Sequence, residues 1–308
     1  MARAASPIGA HVSAAGGLAL VLPRAQAVGA ETLQLFVANT RAWAHPKADP
    51  AGDEMFRATC PLPVFVHAPY LINFGSPSPD TLARSTLALA FSLRRAAAIG
   101  ARGVVMHAGS AVLGSRWGEA VRQVREHVLP LIGDADGPLL LIEPTAGGGG
   151  SLACDAPSLA AYLDVLGRDE RIGVCLDTCH LHAAGHDLTA DGGVAAAMDA
   201  LHAAAPGRLG LIHANDSLDE CGSRRDRHQN VGRGTLGRRP FWELLHHPVT
   251  AGVAFVVETP GDEAGQAADI ARLRRLRSAA LAPAGPRGRS RRTGAAIRAS
   301  QRAVAGPD

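Results

Sequence analysis

Aromatic residues are scarce in this chain, at 4% of its 308 positions, although 47% of the positions are hydrophobic. The core must therefore be built mainly from Ala, Val, Leu and Ile, in a chain long enough for one large core or two smaller ones. Long apolar runs are also missing: none approaches the roughly 18 residues that span a bilayer. The start, "MARAASPIGAHVS", has one early Arg and no apolar stretch behind it, which argues against a secretory signal. The five cysteines (Cys60, Cys154, Cys175, Cys179, Cys221) form no CxxC pair. Neither a disulfide framework nor a zinc ribbon is expected, and reduced thiols in a cytoplasm fit better. Cys175 and Cys179 flank Asp177 and read first as small packing residues.

Charge is unevenly spread. The net +3 conceals a segment from Ala279 onward with six Arg (287, 289, 291, 292, 298, 302) and one acid, Asp308, which leaves the remainder about −2. Rich in Ala, Gly, Pro and Arg, without aromatics or a sustained period, residues 279–308 read as a disordered basic tail. Residues 1–278 are left as the folded domain, the part that would carry any catalytic site. The tail is equally compatible with a solvated extension and with a nucleic-acid-binding arm.

What is present is a regular alternation. Short apolar runs occur at Ile8–Ala10, Thr32–Val37, Val64–Val66, Gly103–Met106, Leu139–Ile142, Ile172–Leu176, Leu209–Ile212 and Val253–Val257. Helical patterning fills the intervals, as in Thr81–Ala101, Trp117–Gly133, Ala156–Gly167 and Gly193–Ala204, and "AADIARLRRLRS" closes the series. Strand, crossover helix and strand repeated eight times predict an α/β fold, a closed (β/α)8 TIM barrel. An open doubly wound sheet would want a Gly-rich phosphate fingerprint after its first strand, and Gly16-Gly17 is too weak for one.

The strand ends are the strongest signal. "VFV" runs into His67, "VVM" into His107, "LLLI" into Glu143, "IGVCL" into Asp177, "LGLI" into His213 and "VAFVV" into Glu258. A lone Asp there would be an ordinary helix cap. Six acid or imidazole residues at the C-terminal mouth of one barrel are different: without cations they would repel or need displaced pKa values. Divalent metals resolve the conflict, and carboxylate with imidazole suits zinc or a similar first-row ion. In "LDTCH" the i,i+3 spacing lets His180 join Asp177, and in "GSRRDRHQNVGRG" Asp226 and His228 share one side of an extended loop. Nine candidate ligands suit three ions, with carboxylates bridging, and clustered ions suit phosphoryl chemistry. Arg224, Arg225 and Arg227, interleaved with the last pair, suit an anion-binding loop.

These segments resemble the endonuclease IV family of zinc-dependent apurinic/apyrimidinic endonucleases. The resemblance runs in order through "IGAHVSAAGGL", "QLFVANTRAW", "VFVHAPYLINFGSP", "MHAGS", "IEPTAG", "VCLDTCHLHAAGHDL", "IHANDS", "GSRRDRHQNVGRGTLG" and "VVETP", from Ile8 to Pro260. It implies three zinc ions per chain, with manganese an alternative at one site. His67 and His107 would bind the first, Glu143 would bridge to the second, and Asp177, His213 and Glu258 would complete the second. His180, Asp226 and His228 would hold the third. Glu143 and Glu258 would be catalytic through the water they help the metals to activate. The implied reaction is hydrolysis of the phosphodiester 5′ to an abasic site in double-stranded DNA, leaving a 3′-hydroxyl and a 5′-deoxyribose phosphate, with trimming of blocked 3′ ends besides. The implied protein is a monomer in the bacterial cytosol with no membrane partner. Arg41 and Tyr70 match positions that the family pushes into the helix as it flips the baseless nucleotide out, and Arg225 and Arg227 would meet the backbone.

The pattern departs from the family at four places. Pro144 stands where Asn is usual, Arg233 where an acid is common, His186 replaces an aromatic, and Thr40 a Gln or Pro. His11, His182 and His186 are extra imidazoles to which supporting roles are assigned. Two other readings remain compatible with the residues. A sugar isomerase or epimerase could use Glu143, Asp177, His213 and Glu258, but would not need the other ligands. A non-catalytic lesion binder would leave the cluster without purpose.

Overall fold

The computed structural model describes residues 4–111, 116–133 and 137–280. All but the first two residues of the expected basic tail lie outside these, as does part of the N-terminal start. No described helix is long and apolar enough to cross a membrane.

Eight parallel strands close a barrel: β1 (Ile8–His11), β2 (Leu33–Phe36), β3 (Val64–His67), β4 (Gly103–His107), β5 (Leu139–Glu143), β6 (Ile172–Asp177), β7 (Leu209–His213) and β10 (Ala254–Val257). Between β7 and β10 a small antiparallel pair intervenes, β8 (Asp216–Ser217) with β9 (His228–Gln229). The helices α1 (Val21–Ala27), α2 (Pro50–Thr59), α3 (Pro79–Ala98), α4 (Trp117–Val128) and α5 (Ala156–Val165) follow the first five strands. Then come α6 (Thr178–Ala184), α7 (Gly193–Ala204), α8 (Arg239–His246) and α9 (Glu263–Ser278). Local chemistry starts them well. Ser78 accepts from Thr81 N at the head of α3, and Asp155 and Ser158 form a reciprocal capping box on α5, each helix with Pro in its first turn.

The barrel separates two cores. A large one lies between strands and helices, built from residues such as Ile8, Leu33, Leu89, Val121, Leu140, Leu163 and Ile212. A small one fills the interior: Phe65, Val105, Leu141, Cys175, Leu211, Ala254 and Val256. At its base Leu141 spreads over three neighbours with no side chain of their own. A Cβ at Gly173, Gly210 or Gly103 would meet it at 2.7, 2.8 and 3.0 Å respectively. Side chains alternate along a strand with period two, so the residue two places after each interior residue also points inward, one layer higher. From Phe65, Val105, Leu141, Cys175, Leu211 and Val256 that step leads to His67, His107, Glu143, Asp177, His213 and Glu258. The mouth is the next layer of the interior core, with donors in place of methyls.

Candidate metal centre

Glu143 lies at the middle of the cluster, 1% exposed. Its Oε2 is 3.3 Å from His67 Nε2 and 3.4 Å from His107 Nε2. Its Oε1 is 3.0 Å from His213 Nδ1, which in turn is 3.3 Å from Glu258 Oε2 and 3.8 Å from Asp177 Oδ2. On the far side, Asp226 takes His180 Nε2 at 3.1 Å on Oδ2 and His228 Nε2 at 3.0 Å on Oδ1, while His228 Nε2 is 3.5 Å from Asp177 Oδ2. All nine sequence-predicted ligands are therefore brought to one mouth, in three overlapping groups.

Asp177 serves two purposes, one per oxygen. Oδ1 caps α6, accepting from Cys179 N at 2.6 Å and His180 N at 3.0 Å. Oδ2 faces the mouth and accepts from Asn215 Nδ2 at 2.7 Å. The cap swings the chain so that His180 also enters. The expected extended loop at Asp226–His228 is partly ordered as β9, whose pairing with β8 holds His228 in place.

The imidazoles share one arrangement. His67 Nδ1 lies 2.7 Å from Ala68 O, His180 Nδ1 3.1 Å from Pro144 O, and His228 Nδ1 3.2 Å from Glu258 O. His213 Nε2 lies 2.9 Å from Gln34 Oε1. Each of these nitrogens faces an acceptor and so bears a proton, which turns the opposite nitrogen toward the carboxylates, the position from which it could serve a cation. His228 Nε2 is buried and, although 3.0 Å from Asp226 Oδ1 and 3.5 Å from Asp177 Oδ2, is aligned for a hydrogen bond with neither. Such an orphaned atom, between two carboxylates, fits a metal ligand, and the carboxylate–imidazole donor set fits zinc.

Electrostatics agree. Burial opposes charge on His180 and His228, but Asp177 and Asp226 overcome it and push them up to about 10 and about 9. Burial would likewise raise Glu143 and Glu258, yet His213 beside both holds them well below the usual carboxylate range. Burial lowers His107 to about 4, keeping it neutral. The protein alone thus balances its carboxylates with imidazolium protons, a role that divalent ions would take over. Burial pushes the thiols of Cys175 and Cys179 up to about 12, so both stay protonated in the metal-free protein.

Several supporting residues were not singled out in the sequence. Gln34 donates to Glu258 Oε1 at 2.6 Å and accepts from His213, tying together two donors carried by the neighbouring strands β7 and β10. Asn215 bonds Asp177 and accepts from Glu258 N at 2.8 Å. Both are 0% exposed. The available signal was a carboxamide within or just beyond an apolar strand, in "LQLF" and "IHAND". His11, given a supporting role from the sequence, has its Nδ1 3.3 Å from Glu258 Oε1 and its ring tilted against Phe36, centroids 4.3 Å apart. Pro144 contributes a carbonyl to His180, a contact independent of its side chain. The ring of His182, also given a supporting role, makes no hydrogen bond among the described residues.

An open cavity adjoins the cluster, with Tyr70, Asn73, His107, His180, Arg224 and Asp226 on its walls. Tyr70 is half exposed on its rim, its ring centroid 5.3 Å from those of His67 and Phe36. Arg41 is exposed on the β2–α2 loop. Arg227 and Arg225 are exposed but turned to Asp219: Arg227 pairs with both its carboxylate oxygens, and Arg225 approaches to 3.7 Å. Arg224, rather than either of these, lines the cavity.

The chain matches the family model described as Xylose isomerase-like TIM barrel over residues 22–276. A probable endonuclease 4 of Streptomyces coelicolor is 50% identical over 280 residues, covering 88% of this chain and 95% of the relative. One of Nitratidesulfovibrio vulgaris is 41% identical, covering 87% of this chain and 98% of the relative. Endonuclease IV from Thermus thermophilus superposes with a TM-score of 0.78 at 33% identity, over 88% of this chain and 98% of that one. A D-tagatose 3-epimerase-like protein, at 16% identity and a TM-score of 0.65, shares the fold alone. With half of the aligned residues identical to a relative matched over 95% of its length, and a barrel whose mouth gathers imidazoles and carboxylates, the chain belongs to the endonuclease IV family of apurinic/apyrimidinic endonucleases, built on the xylose isomerase-like TIM barrel.

Proposed function

We propose that this chain holds three zinc ions and cuts duplex DNA on the 5′ side of an abasic site, leaving a 3′-hydroxyl and a 5′-deoxyribose phosphate. His67, His107 and Glu143 would hold one ion. Glu143, Asp177, His213 and Glu258 would hold a second, and His180, Asp226 and His228 the third, with manganese an alternative at one of them. When bound, such ions supply Lewis acidity, acidifying water and offsetting charge that builds on phosphate oxygens. The observation that carries the reading is the anchoring of His67, His180, His213 and His228 by one nitrogen each, with the other aimed at shared carboxylates.

The chain's own residues do the rest. Glu143 and Glu258 stay ionised in a buried site, and Gln34 and His11 fix the Glu258 carboxylate. The cavity walled by Tyr70, His107 and Arg224 is where an extruded baseless nucleotide would lie, Arg224 facing its phosphate. Tyr70 and Arg41 would fill the gap left in the duplex, where unstacking is least costly because a base is already missing. Arg225 and Arg227 would reach phosphates beyond, once released from Asp219. Blocked 3′ ends would be a second substrate class. The same reading makes the protein a cytosolic monomer.

The decisive test is cleavage of a labelled duplex bearing one abasic-site analogue. Metal-replete protein, an EDTA-stripped sample and Glu258→Gln would be compared, with metal content measured in parallel. A single cut 5′ to the lesion, lost on stripping and in the variant, is expected. Fully metallated protein that leaves the duplex intact would sink the proposal.

A further inference from the structure

α6 has a second face. Residues two apart on a helix lie about 200° from each other, so while His180 enters the mouth, His182 turns away from it. His182 is 2% exposed, and neither ring nitrogen has a hydrogen-bond partner among the described residues. A buried imidazole in that condition forfeits hydration without replacement. Its neighbours are two further donors from separate segments. A ring nitrogen of His182, an oxygen of Asp187 and the sulfur of Cys221 all lie within 4.8 Å of one another.

We propose that His182, Asp187 and Cys221 form a further divalent-cation site, separate from the donors of the mouth and suited to zinc. The sulfur selects a borderline-soft ion over magnesium, calcium or manganese. Zinc bonds of roughly 2.0–2.3 Å would draw the three donors in by about an ångström. Asp187 and Cys221 lie near enough to the surface for that movement. Asp187 is already oriented, its Oδ1 accepting from Thr189 N at 2.9 Å and Thr189 Oγ1 at 2.6 Å. Water supplies a fourth ligand from the solvent side.

The position gives the site a purpose. Cys221 begins the run that ends in Asp226 and His228. Near this point that run is fastened to α6 by main-chain bonds, Gly222 N to His182 O at 3.0 Å and Arg224 N to Ala183 O at 2.9 Å, and farther on by Cys179 Sγ to Arg227 O and His180 Nε2 to Asp226 Oδ2. A cation here clamps the donor-bearing loop to the helix that presents His180. The three donors stand together whichever reaction the mouth performs.

The probe is cobalt(II), titrated into the metal-free full-length chain. The mouth ligands are all nitrogen and oxygen, so a near-ultraviolet thiolate-to-cobalt band reports a sulfur ligand. The wild type should show the band and retain one more zinc per chain after dialysis than Cys221→Ser does. Cys221→Ser and His182→Phe should lack the band, the second keeping the buried volume apolar, with circular dichroism confirming that each is folded. No band in cobalt-saturated wild type would overturn the site. So would a band that survives in Cys221→Ser, since the sulfur would then belong to another cysteine.

Discussion

His67, His107, Glu143, Asp177 and His213 are the last residues of barrel strands, whereas Asp226 and His228 come from a loop and a two-residue strand beyond the barrel. The contrast in burial is large: the Glu143 side chain is 1% exposed and that of Asp226 48%. Strand-borne donors inherit their positions from pairings that also hold the whole sheet. Loop-borne donors depend on few contacts, chiefly the β8–β9 pair and the two main-chain bonds to α6. A site split in this way can keep one part fixed while another yields to a bulky ligand.

Breaking the strand-borne half should cost most. Glu143→Gln removes a charge that four imidazoles approach, from His67, His107, His180 and His213. Single-turnover cleavage of an abasic duplex should fall by roughly 10³-fold or more, and a loss under tenfold would show that Glu143 is not shared between metals. Breaking the loop-borne half should be milder. Asp226→Asn should remove one metal and lower the rate by roughly 10²-fold, leaving the other ions in place by elemental analysis. If all metals are lost together, the two halves are not separable.

Smaller again is the effect of a support. Gln34→Leu deletes contacts to Glu258 and His213 while leaving every ligand, and should weaken metal retention or activity by about 10- to 100-fold. Competition with a chelator measures it, and a wild-type result would reduce Gln34 to filler.

The smallest effect is a pH dependence that separates the halves in metal-free protein. His180 and His228 are raised from 6.5 to about 10 and about 9. Their imidazolium contacts therefore stabilise the metal-free fold fully below the unfolded value and lose that contribution as pH rises through 9 to 10. Thermal melts of stripped protein should accordingly show lower stability at about pH 10 than at about pH 6. Zinc uptake at neutral pH should release protons, readable by calorimetry in buffers of different ionisation heat, and uptake without release would contradict the raised values.

Much of the barrel could be read from the sequence because each of its strands is a short apolar run of its own. The strand at Ile172 extends one residue past the run, to Asp177, and α7 spans the expected Gly193–Ala204. Harder to see were α1, α2, α6 and α8, whose short stretches are interrupted by Pro, Gly or donor residues that mask a helical period. The donors of the mouth were legible because acids and imidazoles are conspicuous at the end of an apolar run. Their supports were not: Ala68, Pro144 and Glu258 act through main-chain carbonyls, which leave no trace in side-chain identity. Arg225 and Arg227 were legible as basic residues, but their engagement with Asp219 depends on a loop conformation that spacing does not specify.

The offset between the interior core and the mouth has a consequence for folding quality. Because each donor follows an interior residue by two, the hydrophobic pattern that sets a strand's register also aims its ligand. A strand displaced by one residue would point its donor outward at the helices while keeping most of its sheet and helix signal. Circular dichroism would accept such a chain. Metal retention would reject it, which makes bound metal a proofreading assay for strand alignment in any refolded preparation.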